Sequence, residues 1–143
     1  MATILLVEDD EQVRVLAESF LQTAGHSTLS AASSEQALAL LAADDPVDLL
    51  FVDVILHGDA EGGLSLAKKA IELRPHLKVL YTSAQALTDG MTALFVPSSA
   101  YLPKPYTVEQ LGTMLSMKFD LRASTQPNGL KVGGSESSGR AAE

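Results

Sequence analysis

The sequence predicts an α/β fold in which a parallel sheet is covered by helices on both faces. Short aliphatic runs alternate along the chain with stretches whose apolar residues recur at helical spacing. The runs at residues 4–7 and 49–52 are apolar at every position, which is typical of strands buried on both faces. Because strands and helices alternate five times, we expect a sheet of five parallel strands connected by helices.

The first half of the chain contains three predicted strands and two predicted helices. Residues 4–7 form the first strand, and residues 28–32 form a weaker second strand. Between them lies a helix with apolar residues three or four positions apart, namely Val13, Leu16, Ala17, Phe20 and Leu21. Ser33 or Ser34 caps the second helix, and residues 49–53 form the third strand.

The second half of the chain contains the remaining strands and helices. A Gly-rich loop ending at Gly63 precedes the third helix, and residues 78–82 form the fourth strand. Residues 85–97 have an apolar pattern that a glycine interrupts and a proline ends, so a fourth helix is only weakly predicted. Residues 100–102 form a short fifth strand, and Thr107 begins the last helix.

Composition and charge exclude several classes of protein. The chain has 143 residues and no cysteine, which excludes a disulfide framework, a thiolate nucleophile and a zinc ribbon. The net charge of −8 argues against direct binding to nucleic acid. No apolar run approaches the roughly 20 residues of a membrane-spanning helix, and acids follow the apolar start at once. We therefore expect a cytoplasmic protein with no signal peptide and no membrane insertion.

We expect one folded domain over residues 1–119 and a disordered tail over residues 120–143. The first segment has 7 Lys and Arg against 15 Asp and Glu, which is the whole net charge, whereas the tail has three of each. The tail is rich in Gly and Ser and has no aromatic residue, so it cannot form a core of its own. It is also too short to be an attached output domain.

Polar side chains follow the strongly predicted strands. Glu8 and Asp9 come after the first strand, Asp53 ends the third, Ser83 follows the fourth and Lys104 follows the fifth. Because the carboxyl ends of parallel strands meet at one edge of a sheet, we expect these side chains to converge there. The acids occupy the turn where a nucleotide-binding protein would have a glycine-rich loop, and they would repel an anion.

Clustered carboxylates are suited to holding a hard divalent cation such as Mg²⁺. With the cation bound, the site becomes able to accept a phosphoryl group. Lys104 would then neutralise charge on the phosphoryl oxygens, and Asp53 is a possible carboxylate nucleophile.

Four segments resemble motifs of the receiver domain of bacterial two-component response regulators. They span residues 4–10, 49–53, 79–84 and 101–106, occur in the right order and each include the end of a strand. The resemblance extends over about residues 3–118. It implies a doubly wound, flavodoxin-like sheet with strand order 2-1-3-4-5. It also implies a stand-alone signalling module, not a multiple-turnover enzyme.

The resemblance implies a phosphoacceptor and a set of Mg²⁺ ligands. Asp53 is expected to accept the phosphoryl group from a histidine kinase or a histidine phosphotransfer protein. Glu8, Asp9, Asp53 and the backbone carbonyl of Ile55 are the expected metal ligands. Asp10 lies one position beyond the acidic pair, so we expect it to start the first helix.

The resemblance also implies the residues that respond to phosphorylation. Ser83, in preference to Thr82, and Lys104 are expected to contact the phosphoryl group. Tyr101 is the expected aromatic switch, and Pro105 is expected to follow a cis peptide bond. The response would re-form the surface around the fourth helix, the fifth strand and the fifth helix. The protein would then bind a downstream protein or relay the phosphoryl group to a histidine of another protein.

The sequence departs from the family pattern at two places. Residues 54–63 lack the Met-Pro that is usual in the family, and this segment is one or two residues longer than the family's. Residues 96–99 lack the usual Gly-Ala pair. His57 lies in the first of these segments, but a single histidine is weak support for a transition-metal site. Ile55 and Gln85 occupy the positions that line the path of the hydrolytic water in the family.

Two other functions are compatible with parts of the sequence. A phosphorylation-independent scaffold would keep the fold with a degenerate pocket. A phosphohydrolase of the haloacid dehalogenase type also uses an Asp at the end of a strand. Such enzymes need a second Asp two residues later as acid and base, and Ile55 occupies that position here.

Overall fold

Five parallel strands form the central sheet of the structure, a computed structural model that describes residues 2–121. The strand order is β2-β1-β3-β4-β5, and all four neighbouring pairs are parallel. The strands are β1 (Thr3–Val7), β2 (Ser27–Ala31), β3 (Leu49–Asp53), β4 (Lys78–Ser83) and β5 (Ala100–Pro103). The predicted fold class and strand order are confirmed.

Two long helices cover each face of the sheet. The helices are α1 (Glu11–Thr23), α2 (Ser34–Ala42), α3 (Gly62–Leu73), α4 (Asp89–Thr92) and α5 (Val108–Phe119). Helices α2 and α3 pack on one core and α1 and α5 on the other. The side chains of Asp10, Ser33 and Thr107 accept hydrogen bonds from backbone N–H groups in the first turns of α1, α2 and α5.

The central strands β1 and β3 each contain a run of four consecutive apolar residues because they contribute to both cores. Along β1, Leu5 and Val7 belong to the core under α2 and α3, whereas Ile4 and Leu6 belong to the core under α1 and α5. Successive side chains of a strand point to opposite faces. A strand covered on both sides therefore needs an apolar residue at every position, as the run at residues 4–7 shows.

The segment between β4 and β5 contains only a short helix, α4, which spans four residues. Within residues 84–99, Val96 is the one buried residue. Its N–H donates a hydrogen bond of 3.1 Å to the hydroxyl of Tyr81, and the ring of Phe95 stacks on the Tyr81 ring at 4.0 Å. The contacts with Tyr81 thus hold this segment in place, although its sequence only weakly predicts a helix.

The described chain ends just after α5. Asp120 adopts a left-handed conformation with φ of 57°, and the Leu121 N–H donates to the carbonyl of Leu115. Residues 122–143, which contain most of the expected disordered tail, lie outside the described residues. None of the helices within residues 2–121 has the length and apolar character needed to cross a membrane.

A buried histidine lies at the opposite end of the sheet from the polar residues described below. His26 is 5% exposed, and its Nδ1 accepts a hydrogen bond of 3.2 Å from the Ala2 N–H. An accepting ring nitrogen carries no proton, so this contact requires the neutral imidazole. Burial lowers the pKa of His26 below its usual value, as expected for a buried basic group.

We expect acidification to destabilise the fold through His26. Because its pKa is lowered in the folded state, the unfolded chain binds more protons, and stability falls as the pH drops below about 6.5. The thermal midpoint between pH 7.5 and 5.5 should therefore fall less in His26→Gln than in the unmodified protein. The glutamine oxygen can still accept from Ala2 but does not titrate. An equal fall in both proteins, measured by circular dichroism, would contradict the assignment.

Candidate functional site

The polar residues predicted at the strand ends come together at the carboxyl edge of the sheet. Glu8 and Asp9 follow β1, Asp53 ends β3, Ser83 ends β4 and Lys104 follows β5. An open cavity of about 210 Å³ lies at this edge. Its lining residues are Asp9, Asp53, Ile55, Gly58, Ser83, Ala84 and Gln85. The parallel topology brings together residues that are up to 96 positions apart in the sequence.

The ammonium group of Lys104 bridges two buried carboxylates. Its Nζ lies 2.6 Å from Glu8 Oε1 and 2.7 Å from Asp53 Oδ2. Glu8 is 4% exposed and Asp53 is 7% exposed, so neither carboxylate is well solvated. Hydrogen bonds between charged groups are shorter and stronger than neutral ones. The lysine therefore balances two charges that would otherwise be costly to bury.

The bridge shifts the protonation equilibria of its members. Burial raises the pKa of Glu8 above its usual value, and the hydrogen bonds from Lys104 and from the Asp10 N–H act against this without cancelling it. Burial acts to lower the pKa of Lys104, but its hydrogen bonds to Asp53 and Glu8 outweigh this and raise it. Lys104 is therefore cationic at neutral pH, and Glu8 takes up a proton more readily than an exposed glutamate.

The Asp53 carboxylate is held on both oxygens. Oδ1 accepts a hydrogen bond of 3.0 Å from the Ile55 N–H, and Oδ2 faces Lys104. The start of α3 approaches Asp53 closely, since a Cβ atom on Gly63 would lie 1.9 Å from the Asp53 carbonyl oxygen. Only glycine fits there, and the Gly63 N–H donates to the Val54 carbonyl at 2.8 Å.

The Asp9 carboxylate is more exposed than the other two and has a different partner. Its side chain is 29% exposed, and Oδ2 accepts a hydrogen bond of 3.0 Å from the His57 N–H. Burial acts to raise the pKa of Asp9, but hydrogen bonds, first among them that from His57, outweigh burial and lower it. Asp9 is therefore ionised at neutral pH.

The two hydroxyl residues at the end of β4 have different surroundings. Ser83 lines the cavity, and its Oγ accepts a hydrogen bond of 3.1 Å from the Gln85 N–H. Thr82 is 3% exposed, and its hydroxyl has no hydrogen-bond partner within residues 2–121. Because neighbouring side chains of a strand point to opposite faces, only one of them can face the cavity. Of the two, Ser83 is the residue that lines the cavity.

An aromatic cluster connects the cavity to the segment before β5. The Tyr101 hydroxyl donates to the Ser83 carbonyl at 3.5 Å, and its ring lies 6.2 Å from that of Phe95. Phe95 in turn stacks on Tyr81. The half-buried Tyr101 thus contacts both the end of β4 and the segment 84–99.

The segment after Lys104 also lies close to the site. The Lys104–Pro105 peptide bond is cis, as the family resemblance implies. The Lys104 N–H donates to the Ser83 carbonyl at 3.0 Å, which ties the lysine backbone to the end of β4. Burial raises the pKa of the neighbouring Tyr106 to about 12, so its hydroxyl stays protonated.

The charges at the edge fit a divalent cation. Three carboxylates, those of Glu8, Asp9 and Asp53, and the one ammonium of Lys104 leave two net negative charges. Magnesium usually binds through one or two carboxylates together with water. Asp9 and Asp53 line the same cavity, so the donor set fits Mg²⁺ in this manner. No group of three or more His, Cys, Asp or Glu side chains within residues 2–121 is arranged to hold a metal. Lys104 occupies the space between Glu8 and Asp53.

Sequence reasoning missed three residues that support the site. The sequence indicates His57 only as a weakly supported metal ligand, yet its N–H donates to Asp9. Arg14 donates from its guanidinium to the Glu8 carbonyl at 2.9 Å, and Phe95 contacts both tyrosines described above. The sequence contains no signal for these contacts, because each depends on how two separate segments meet.

Comparison with known proteins identifies relatives over most of the chain. The family described as the response regulator receiver domain matches residues 4–116. The chain is 34% identical over 111 residues to the transcriptional regulatory protein CpxR of Klebsiella pneumoniae, which covers 78% of this chain and 46% of that protein. It is 32% identical over 116 residues to the sensor kinase CckA of Brucella abortus, covering 78% of this chain and 12% of the kinase. The chain thus spans less than half the length of these relatives.

Solved structures share the same fold. A response regulator receiver protein from Sinorhizobium medicae superimposes with a TM-score of 0.74 at 28% identity, covering 83% of this chain and 94% of that one. The receiver domain of the hybrid histidine kinase CckA superimposes with a TM-score of 0.65 at 30% identity, covering 81% and 97%. Receiver domains are signalling modules of two-component systems, and switching by phosphorylation is their general role. The chain belongs to the response regulator receiver domain family.

Proposed function

We propose that this chain is a signalling module switched by phosphorylation of Asp53 in a Mg²⁺-dependent reaction. The donor would be a histidine kinase or a histidine phosphotransfer protein. The observation that carries the proposal is the convergence of Asp9, Asp53 and Ser83 on one cavity, with Lys104 bound to Asp53. The phosphorylated protein would act in the cytoplasm, by binding a downstream protein or by passing the phosphoryl group on in a phosphorelay.

The transfer itself requires a nucleophile and a means of neutralising charge. A carboxylate oxygen of Asp53 forms a bond to phosphorus while the phosphorus–nitrogen bond of the donor phosphohistidine breaks. The bonding electron pair goes to the donor nitrogen, which leaves as a neutral imidazole when its other nitrogen carries the proton. A bound Mg²⁺, held by Asp9, Asp53 and the Ile55 carbonyl with Glu8 nearby, would neutralise charge on the phosphoryl oxygens.

The switch would follow from new contacts to the phosphoryl group. Lys104 would exchange its hydrogen bond to the Asp53 carboxylate for one to a phosphoryl oxygen, and the Ser83 hydroxyl would donate to another. Tyr101 binds the Ser83 carbonyl and contacts Phe95. A displacement of Ser83 would therefore change the balance between two arrangements of Tyr101 and of the segment 84–99.

The first prediction concerns the phosphoacceptor. Incubation with Mg²⁺ and acetyl phosphate should add one phosphoryl group to the protein, and the adduct should be absent from Asp53→Asn when measured by intact mass. Asp59→Asn, which changes an exposed acid in the next loop, is the matched control and should still be phosphorylated. No adduct on the unmodified protein would favour the scaffold. Multiple-turnover release of phosphate from unrelated phosphomonoesters would favour the phosphohydrolase.

A second prediction concerns the charge balance at Lys104. In Lys104→Met the Glu8 and Asp53 carboxylates face each other without a cation, so the free energy of unfolding at pH 7.5 should fall by about 2–3 kcal/mol. The loss should be smaller at pH 5, because a carboxyl with a raised pKa in the folded state binds protons there and stabilises the fold as the pH falls. Urea unfolding at both pH values measures this, with Lys118→Met as control. An equal loss of unfolding free energy at the two pH values would contradict the proposed bridge from Lys104 to Glu8 and Asp53.

A third prediction concerns the lifetime of the phosphoryl group. Ile55 lines the cavity, and its aliphatic side chain cannot orient a water molecule. An asparagine can, so self-dephosphorylation should be faster in Ile55→Asn, by about fivefold if one hydrogen bond of about 1 kcal/mol is gained. Phosphate release from the phosphorylated protein measures the half-life, and Ile55→Val should keep the original value. A half-life that is equal or longer in Ile55→Asn would refute the prediction.

A further inference from the structure

The loop after β3 begins with a tight hairpin. The N–H of Leu56 donates to the Asp59 carbonyl at 3.2 Å, and the N–H of Asp59 donates to the Leu56 carbonyl at 2.9 Å. The two residues between them, His57 and Gly58, have φ values of 51° and 75°. Two consecutive left-handed residues are typical of a type I′ turn, which usually carries Asn, Asp or Gly at its first position. Positive φ values are uncommon for residues other than glycine, and histidine is among the few that adopt them more often than most.

His57 connects this hairpin to two other loops at the carboxyl edge. Its N–H donates to Asp9 Oδ2 at 3.0 Å, after β1. Its Nε2 lies 2.9 Å from the carbonyl of Ala32, after β2. Because a carbonyl oxygen only accepts hydrogen bonds, Nε2 must carry a proton and donate. The ring is 61% exposed, so replacing it removes the contact with the Ala32 carbonyl without opening a cavity in the core.

The contacts of His57 restrict the movement of Asp9. The hydrogen bond from the His57 ring to the Ala32 carbonyl fixes the position of the turn. The position of the turn then determines the direction of the His57 N–H. That N–H holds Asp9 Oδ2, on a side chain that is otherwise the most exposed of the three carboxylates. A carboxylate that is already held in place loses less conformational freedom when it binds a cation, and this increases the affinity for the cation. Some groups do not touch the metal but orient a side chain that does. Replacing such a group commonly weakens metal affinity severalfold or more.

We propose that His57 is a positioning residue that fixes the Asp9 carboxylate for cation binding, by anchoring the hairpin 56–59 to the Ala32 carbonyl. The inference rests on the proposed function, since it takes the cation to bind at Asp9 and Asp53. It goes beyond that function because it assigns a task to a residue that neither binds the cation nor contacts the phosphoryl group.

The test compares cation affinity in three variants. His57→Gly removes the ring and keeps both the N–H and the left-handed turn, which glycine favours. His57→Gln keeps a side-chain N–H donor long enough to reach the Ala32 carbonyl. His76→Gly removes an exposed histidine at the opposite end of the sheet and is the matched control.

Binding is measured without phosphorylation, by titrating Mn²⁺ into the full chain, following free Mn²⁺ by electron paramagnetic resonance, and displacing it with Mg²⁺. We expect the Mg²⁺ dissociation constant to rise about 10-fold in His57→Gly, at the lower end of the usual range because the N–H that binds Asp9 is kept. His57→Gln should restore it to within about twofold, and His76→Gly should leave it unchanged. Restoration by His57→Gln separates positioning from a general loosening of the loop.

The outcomes distinguish this inference from the function on which it rests. An unchanged dissociation constant in His57→Gly would overturn the positioning role alone. Equal weakening in His57→Gln and His57→Gly would also overturn it, because the Ala32 contact would then be irrelevant. If the unmodified protein binds neither Mn²⁺ nor Mg²⁺, the cation-dependent function fails, and this inference fails with it.

Discussion

The bridge from Lys104 to Glu8 and Asp53 is the contact on which the site depends. It joins the ends of β1, β3 and β5 through one ammonium group, with distances of 2.6 and 2.7 Å. Burying two carboxylates side by side would be costly without a cation between them. The lysine supplies that cation and holds Oδ2 of Asp53, the proposed phosphoacceptor, in a fixed direction. The same contact is one that a phosphoryl group on Asp53 would have to replace.

Around this bridge, each loop at the edge has a separate task. The hairpin after β3 holds Asp9 through His57, and the glycine at position 63 lets α3 begin directly against Asp53. On the other side, the Ser83 carbonyl accepts from both the Lys104 N–H and the Tyr101 hydroxyl. The Asp53 carboxylate is therefore linked through Lys104 to the Ser83 carbonyl, which in turn accepts from Tyr101. Tyr101 contacts Phe95, in the segment that carries the short helix α4.

The sequence was most informative where local rules and chemistry coincide. The continuous apolar runs predict central strands because both cores require an apolar residue at every position, and the caps at Asp10, Ser33 and Thr107 follow from the preference of short polar side chains for helix starts. The weak pattern over residues 85–97 agrees with a helix of four residues. The start of α3 lies two residues earlier than the sequence predicts, because Gly62 and Gly63 suggest a loop. Their small size instead serves the close approach to Leu56 and Asp53.

By itself the sequence determined the parallel α/β fold and the residues that would gather at one edge of the sheet. These follow from periodicity and from the fact that parallel strands end on the same side. Only the tertiary structure decided how those residues interact: that Lys104 lies between Glu8 and Asp53, that Asp9 is bound by His57, and that Phe95 lies between Tyr81 and Tyr101. Each of these contacts joins segments that are distant in the chain. Such contacts are set by the relative placement of loops, which no local pattern of residues encodes.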